Sequence, residues 1–193
     1  AYWKPRNPGD LGRIYGVQWR GWRSVVPPQL TESGYSGLEI KVTDQLDNLV
    51  KGLKAEPHSR RHVVTALNPG EQDQMCLPPC HVMFQCFVDG GRLDMCVYMR
   101  SVDLFLGLPF DIASYALLQR LLAVEIGKHA GWLTFMLGDA HIYNNHLYQV
   151  NQACALEPLE APQLVLEPGA GVFDFLPHQA RLEGYKSHGA IAA

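Results

Sequence analysis

The stretch HVMFQCFVDGGRLDMCVYMRS, residues 81–101, decides the fold class of this chain. It contains two apolar runs joined by Asp89, Gly90 and Gly91. An Asp-Gly or Gly-Gly link between two such runs is typical of a tight turn between antiparallel strands, because glycine readily adopts the positive φ angles that the turn needs. The sequence therefore predicts a β-hairpin here.

Helices are predicted on both sides of this hairpin. Upstream, the apolar residues of 42–53 fall on one helical face, with Thr43 or Asp44 as the cap. Downstream, the segment 109–128 is mostly apolar and predicts a long helix, too apolar for an open surface. A later helix is predicted over 140–156. Short strands are predicted at RHVVTALN, WLTFML, QLVLEP and GVFDFLP. Because strands and helices do not alternate strictly, we expect an α+β fold.

Length and composition indicate one folded domain over residues 1–193, with a surface loop or insertion at 24–42. The net charge of -3 argues against a nucleic-acid polymer as partner. No apolar run is long enough to predict a transmembrane helix, and the first residues do not resemble a signal peptide. The five cysteines form no CxxC pair, which argues against a disulfide scaffold or a zinc site. We expect a cytoplasmic protein without a metal.

Several polar residues could carry chemistry, although each has an ordinary structural explanation. Cys80 follows two prolines and precedes a predicted strand, so it is either a held nucleophile or, like the other four cysteines, a small buried side chain. The pairs Arg60-Arg61 and Arg100-Ser101 lie at strand boundaries, where they are either solvated charges or a grip on a phosphate. His141 and Tyr143 begin the predicted late helix, where capping is the default role.

Four longer motifs, taken in their order, are more specific than any one of these residues. They are GRIYGVQWRGW, SRRHVVTALNPGEQDQMCLPPCHVMFQ, YMRSVDLFLGLPFDIASYALL and GDAHIYNNHLYQ. Together they resemble the thymidylate synthases and their relatives. The resemblance implies a mixed β-sheet packed against a long buried helix, and a homodimer formed sheet to sheet. The N-terminal third of that family has no counterpart in this chain.

The resemblance also implies roles for residues of this chain. Cys80 would add to C6 of a pyrimidine ring, so that C5 attacks the one-carbon unit of 5,10-methylenetetrahydrofolate. Arg60 and Arg61 would reach the phosphate site of the partner subunit. The implied catalytic residues are Cys80, Tyr15 and Arg100; the nucleotide-binding residues are Arg60, Arg61, Arg100, Ser101, Gln85, Asp111, His141 and Tyr143; the folate-binding residues are Asp103, Leu106, Gly107 and Phe110.

Asp111 departs from the thymidylate synthase pattern, which has asparagine at this position. An amide matches the N3–H donor and O4 acceptor of uracil, whereas a protonated carboxyl group matches the N4 amino group and N3 of cytosine. Asp111 could equally be an ordinary acidic residue in the first turn of a helix. Asp111 resembles the residue at this position in cytidylate-modifying relatives, which favours a role in recognising cytosine. The expected nucleotide is therefore dCMP, with dUMP as the alternative.

The expected product is 5-hydroxymethyl-dCMP. The C-terminal tail is short, and Trp3 is the one clear aromatic residue upstream of Gly9, so we expect a loosely closed site that admits water. The alternatives are a methylase of dCMP, a thymidylate synthase that methylates dUMP, and a nucleotide-binding dimer without catalysis. His81 follows the thymidylate synthase pattern and favours the second of these.

Overall fold

The computed structural model describes residues 7–192, apart from the side chains of Thr31 and Tyr35, and Trp3 lies outside the described residues. The α-helices are α1 Gly16–Gly21, α2 Gln45–Ala55, α3 Leu108–Glu125 and α4 Leu147–Cys154, and short 3₁₀ helices span Pro69–Gln74, Asn144–His146 and Pro177–Gln179. The strands are β1 Trp22–Val26, β2 Leu30–Thr31, β3 Gly34–Tyr35, β4 Glu39–Thr43, β5 Val63–Thr65, β6 His81–Asp89, β7 Arg92–Asp103, β8 His129–His141, β9 Gln163–Leu166 and β10 Ala180–Glu183.

A mixed four-stranded sheet, ordered β5-β6-β7-β8, organises the described chain. Strands β5, β6 and β7 pair antiparallel, whereas β7 and β8 run parallel with α3 as their connection. The predicted hairpin is confirmed, because Asp89 pairs with Arg92 across a two-residue turn. Both turn glycines have positive φ, 53° for Gly90 and 91° for Gly91. The α+β class and the mixed sheet are therefore as expected.

The hydrophobic core fills the space between one face of this sheet and the helices α2 and α3. Alternate residues of β6 and β7, such as Phe84 and Val97, are buried there against Leu53 of α2 and Leu122 of α3. Period-two alternation in the strands and the apolar stripe of α2 explain this layer. Helix α2 is capped as predicted: the Asp44 carboxylate accepts from the backbone N–H of Asp47 at 2.9 Å.

The opposite face of the sheet is open and apolar. Phe87, Tyr98, Trp132 and Met136 are exposed there, and Trp132 retains 72% of its accessible surface. No helix or strand of residues 7–192 covers this face. An apolar area of this kind usually marks an interface with another chain.

Several predicted elements differ from the structure. The 24–42 stretch, expected to be a surface loop, is exposed but contributes to an antiparallel ribbon in which β1 pairs with β4. The predicted strand over 171–177 is wrong, because that segment forms turns and the last strand is β10. WLTFML is part of β8, a strand of 13 residues.

The buried helix predicted over 109–128 is not buried all round. Helix α3 covers the sheet with one face, which includes Tyr115 and Leu122, while Phe110 is 74% exposed and Val124 is 51% exposed. A helix on the outside of a two-layer fold has only one face against the sheet, so its apolar outer face has no cover among the described residues. Within residues 7–192, none of the helices combines the length and the apolar character that a membrane span requires.

Candidate active site

Cys80 directly precedes β6, at the end of a loop that Arg100 of β7 holds through hydrogen bonds. The Arg100 guanidinium donates from Nε to the Pro79 carbonyl at 3.0 Å and from Nη2 to the Pro78 carbonyl at 2.7 Å. The same Nη2 lies 3.9 Å from Cys80 Sγ. A guanidinium at this distance stabilises a negatively charged sulfur. The arrangement suits a nucleophilic thiol whose position is set by the arginine.

Tyr15 supports Cys80 from a second direction. The backbone N–H of Cys80 donates to the Tyr15 hydroxyl at 3.1 Å. Tyr15 has φ 41°, a positive angle that is unusual for a residue other than glycine. Burial raises the pKa of Tyr15, against the opposing effect of the hydrogen bond from Cys80. Tyr15 is therefore a neutral phenol near neutral pH, held in a strained conformation next to the thiol.

A cavity of about 670 Å³ opens at Cys80. Its walls include Arg100, Ser101 and Tyr143, three of the predicted nucleotide-binding residues. The cavity thus combines a thiol, a cation and two hydroxyl groups. This is the donor set that a phosphorylated ligand with an electrophilic ring would need.

His141 and Tyr143 lie close together, but not on the helix that the sequence predicts. His141 ends β8, and Tyr143 precedes the 3₁₀ helix Asn144–His146. Their rings meet edge to face, with centroids 5.1 Å apart. Strand β8 carries them there because it pairs with β7 along its whole length, with Asp103 opposite His141.

Arg60, Arg61 and Gln85 lie away from the Cys80 cavity. Both arginines are exposed in the turn before β5. Gln85 points to the open face of the sheet, and its amide donates to the Arg60 carbonyl at 3.3 Å. The structure therefore groups these three residues with the open apolar face rather than with Cys80.

The four residues expected to bind folate lie on one segment, which runs from Asp103 at the end of β7 to Phe110 in the first turn of α3. Asp103 accepts two backbone hydrogen bonds through Oδ1, from Phe105 at 3.0 Å and Leu106 at 3.1 Å. Gly107 is packed tightly, since a Cβ there would lie 3.0 Å from the Asp103 carbonyl oxygen. Leu106 and Phe110 are exposed. The segment thus presents apolar side chains beside a fixed carboxylate.

Asp111 lines a second cavity, of about 390 Å³, together with Tyr15 and His81, and it is not among the residues that line the Cys80 cavity. Its carboxylate Oδ1 lies 3.1 Å from Nε2 of His81, and the Tyr15 and Tyr115 rings flank the imidazole at 5.2 and 5.3 Å between centroids. Burial lowers the pKa of His81, although the charge and hydrogen bond of Asp111 oppose this. Burial also raises the pKa of Tyr115.

Two groups of residues near the site are absent from the predicted list. One is His81, whose place next to Cys80 in the sequence is a signal that could have identified it. The other is a buried network in which the Glu71 carboxylate accepts from Arg13 Nε at 2.9 Å and from the Gln18 amide at 2.8 Å. Nothing in the spacing of these residues predicts the network. Among residues 7–192, no group of three His, Cys, Asp or Glu side chains is placed to hold a metal ion.

Comparison with known proteins matches residues 1–193 to the family described as Thymidylate synthase. The chain is 43% identical over 185 residues to the thymidylate synthase of Staphylococcus haemolyticus (strain JCSC1435), covering 96% of this chain and 54% of the relative. It is 44% identical over 186 residues to thymidylate synthases of Listeria monocytogenes serotype 4a (strain HCC23) and serotype 4b (strain CLIP80459), covering 96% of this chain and 55% of each relative. The chain thus spans about half the length of these curated relatives.

These matches contradict the prediction that the protein hydroxymethylates dCMP. Relatives at this level of identity are named thymidylate synthases, which supports the alternative, methylation of dUMP. The prediction depended on one residue, Asp111, and on a short tail. The sequence identity to thymidylate synthases over 96% of the chain is stronger evidence than either Asp111 or the short tail.

Proposed function

Because the chain belongs to the thymidylate synthase family, we propose that the protein methylates dUMP to dTMP with 5,10-methylenetetrahydrofolate as the one-carbon donor. The observation that carries the proposal is the contact between Cys80 and Arg100 at the wall of a cavity that also includes Ser101 and Tyr143. The Cys80 thiol serves the nucleophilic step, and the Arg100 guanidinium beside it serves the recognition of a phosphate.

In this mechanism Cys80 Sγ forms a bond to C6 of uracil, and the electron pair of the C5–C6 double bond makes C5 a nucleophile. Arg100 stabilises the thiolate before the attack and again when the C6–S bond breaks. Tyr15 keeps the Cys80 backbone in place through its 3.1 Å hydrogen bond. When bound, the folate would supply a methylene unit and a hydride to C5; C5 would lose its proton to a base or to water, and breaking of the C6–S bond would restore the C5–C6 double bond and release the Cys80 thiolate.

The phosphate of dUMP would be bound by Arg100 and Ser101 of one subunit. Arg60 and Arg61 of the partner would complete this site, in a homodimer formed through the open faces of two sheets. Two observations support the dimer: Trp132 and Met136 are exposed on the open face of the sheet, and the Arg60 carbonyl, in the turn that carries both arginines, accepts from the Gln85 amide on that face at 3.3 Å. His141 and Tyr143 would hold the sugar hydroxyl, and Gln85 would lie near the nucleotide of the assembled dimer.

Segment 103–110 fits a folate. A pterin ring has flat π faces and a polar edge, and Leu106 and Phe110 offer exposed apolar surface beside the Asp103 carboxylate. The close packing of Gly107 against Asp103 keeps this segment compact. The segment ends in the first turn of α3, directly before Asp111.

A competition experiment tests the proposal. The protein is incubated with equal dUMP and dCMP and with methylenetetrahydrofolate, and the nucleotide products are identified by mass. We expect dTMP as the main product. A modified dCMP, or no product with correctly folded protein, would overturn the proposed activity.

A cysteine pair tests the nucleophile. Cys80→Ser should reduce turnover by several orders of magnitude while nucleotide binding remains within a few fold, because an alcohol is a far weaker nucleophile than a thiolate. Cys154→Ser is the matched control, since Cys154 is exposed at the end of α4 and does not line the Cys80 cavity. Turnover retained by Cys80→Ser would refute the assignment.

A further inference from the structure

The turn that links α2 to β5, residues 56–62, presents two exposed cations. Arg60 and Arg61 are neighbours on this turn, and both are exposed. Within residues 7–192, neither guanidinium forms an ion pair with a carboxylate. Both cations are therefore available to an anion, and a guanidinium binds a phosphate well only when its flat fork is held at the right place.

His62 closes this turn from the inside. It follows Arg61 directly, and only 6% of its surface is exposed. Its Nε2 lies 2.8 Å from the carbonyl oxygen of Glu56, the first residue of the turn. Because a carbonyl can only accept, the imidazole carries its proton on Nε2 and donates it. The hydrogen bond thus joins the last residue of the turn to the first.

His62 also connects the turn to the central sheet. Its backbone carbonyl accepts from the N–H of Cys86 in β6 at 2.8 Å. The Glu56 carbonyl that its side chain binds also accepts from the N–H of Ser59 at 2.9 Å, inside the turn. The side chain and the backbone of one residue therefore bind two different elements, so a displacement of His62 moves the turn relative to both.

Gly52 of α2 leaves the space that the His62 ring fills. A Cβ at position 52 would lie 3.1 Å from Cε1 and 3.2 Å from Nδ1 of the imidazole, closer than an ordinary van der Waals contact. Glycine inside a helix is less stable than alanine. The helix therefore has an unfavourable residue at the point where the imidazole packs, which indicates a fitted contact between α2 and the turn.

We propose that His62 is a positioning residue for the nucleotide phosphate, because it holds the turn 56–62 in the place from which Arg60 and Arg61 reach the phosphate on the partner subunit. This inference rests on the proposed function, of which the dimer and the role of the two arginines are parts. His62 is buried and acts through the arginines. Hydrogen bonds from a guanidinium to a phosphate are directional, so a displaced turn weakens them.

Steady-state kinetics with dUMP and methylenetetrahydrofolate test the inference. His62→Leu keeps apolar bulk but removes the donor, so the KM for dUMP should rise about five- to tenfold while kcat stays within about twofold. His62→Gln, whose amide N–H can replace Nε2–H, should restore the KM to within about twofold. Gly52→Ala keeps the imidazole but displaces it, and should raise the KM about two- to threefold.

A double-mutant cycle separates positioning from a general loss of stability. In a protein that carries Arg60→Ala and Arg61→Ala, His62→Leu should no longer change the KM for dUMP, because the groups that it positions are absent. Val50→Ala is the matched control, since it removes buried apolar volume from α2 and none of the hydrogen bonds of the turn. It should leave the KM within about twofold of the unsubstituted value.

The outcomes distinguish this inference from the proposed function. An unchanged KM in His62→Leu and Gly52→Ala would overturn the inference, as would an equal rise with and without the two arginines. Either result leaves the proposed function in place if the double arginine variant itself binds dUMP more weakly. If that variant binds dUMP as the unsubstituted protein does, the role of the arginines is overturned, and the inference with it. Should His62→Leu fail to fold, Gly52→Ala is used in the same cycle.

Discussion

Replacing Glu71 with glutamine should destabilise the fold and disturb the placement of Tyr15. Glu71 is buried on the 3₁₀ helix that leads to Cys80, and its Oε2 accepts from Arg13 and Gln18 at 2.9 and 2.8 Å. Arg13 and Gln18 flank Tyr15 in the sequence. The carboxylate therefore connects the segment that carries Tyr15 to the loop that carries Cys80.

The magnitude follows from the two short hydrogen bonds. A hydrogen bond to a charged group contributes about 1 kcal/mol more than a neutral one, so the loss of charge at two bonds should cost about 2 kcal/mol. Glu71→Ala, which leaves the Arg13 guanidinium without its carboxylate, should cost about 3–5 kcal/mol. Turnover should fall as well, because Tyr15 is no longer held against Cys80.

The pH dependence has a definite sign. Burial alone would raise the pKa of Glu71, but hydrogen bonds from Gln18 and Arg13 and the charges of Arg13 and Arg23 outweigh it, so the pKa lies below the ordinary value of 4.5. Its contribution to stability is therefore fully present above pH 4.5 and is lost as the pH falls through the folded-state pKa. The difference between the protein and Glu71→Gln should shrink over that acidic range.

Urea unfolding from pH 7 down to about pH 3.5 measures this difference. Glu183→Gln is the matched control, because Glu183 pairs with Arg181 on the surface with 53% and 60% of the side chains exposed. It should change stability by less than about 0.5 kcal/mol. An unchanged stability of Glu71→Gln at pH 7, or a difference that stays constant into acid, would refute the reasoning.

Three further substitutions address the site and the dimer. Tyr15→Phe removes the acceptor for the Cys80 backbone N–H, so the free energy of unfolding should fall by about 1 kcal/mol in urea unfolding. In steady-state kinetics kcat should fall by several fold. An unchanged kcat would contradict the positioning role of Tyr15. Arg100→Lys keeps the charge but loses the planar guanidinium that donates to the two carbonyls of the loop before Cys80. We therefore expect kcat to fall and the Kd for dUMP to rise at least tenfold. Wild-type values of both constants would contradict this role of Arg100. Trp132→Lys places a charge on the open sheet face and should shift the protein to monomers in sedimentation experiments. Leu182→Lys is the control, because it replaces another exposed apolar residue and should not change the oligomeric state. Equal behaviour of the two variants would exclude this face as the interface.

Much of the central fold was predictable because its signals are local. The β6–β7 hairpin follows from two apolar runs around a two-glycine turn, and α2 follows from an apolar stripe with Asp44 at its start. The N-terminal boundary of α3 lies within one residue of the proline that marks it. Each of these depends on residues a few positions apart, so no knowledge of packing is needed.

The exposed ribbon and the late strands were less predictable. Strand β1 has no alternating apolar pattern, and β4, where Ile40 and Val42 alternate with charged residues, lies in a segment rich in turn residues with most of its side chains exposed. The full length of β8 is also hidden, because Gly138 interrupts its pattern. That glycine is needed for pairing with β7, since a Cβ there would lie 2.8 Å from the Arg100 carbonyl oxygen.

The sequence by itself determined which residues carry the chemistry at each strand end: Cys80 after its prolines, and Arg100 with Ser101 at the end of an apolar run. Only the tertiary structure decided which of them meet. Arg100 reaches Cys80 because β6 and β7 pair antiparallel, and Asp111 meets His81 because α3 crosses back over the sheet. Such contacts join residues 20 to 30 positions apart, and they depend on strand register and on helix packing, which arise from the whole core rather than from any local pattern.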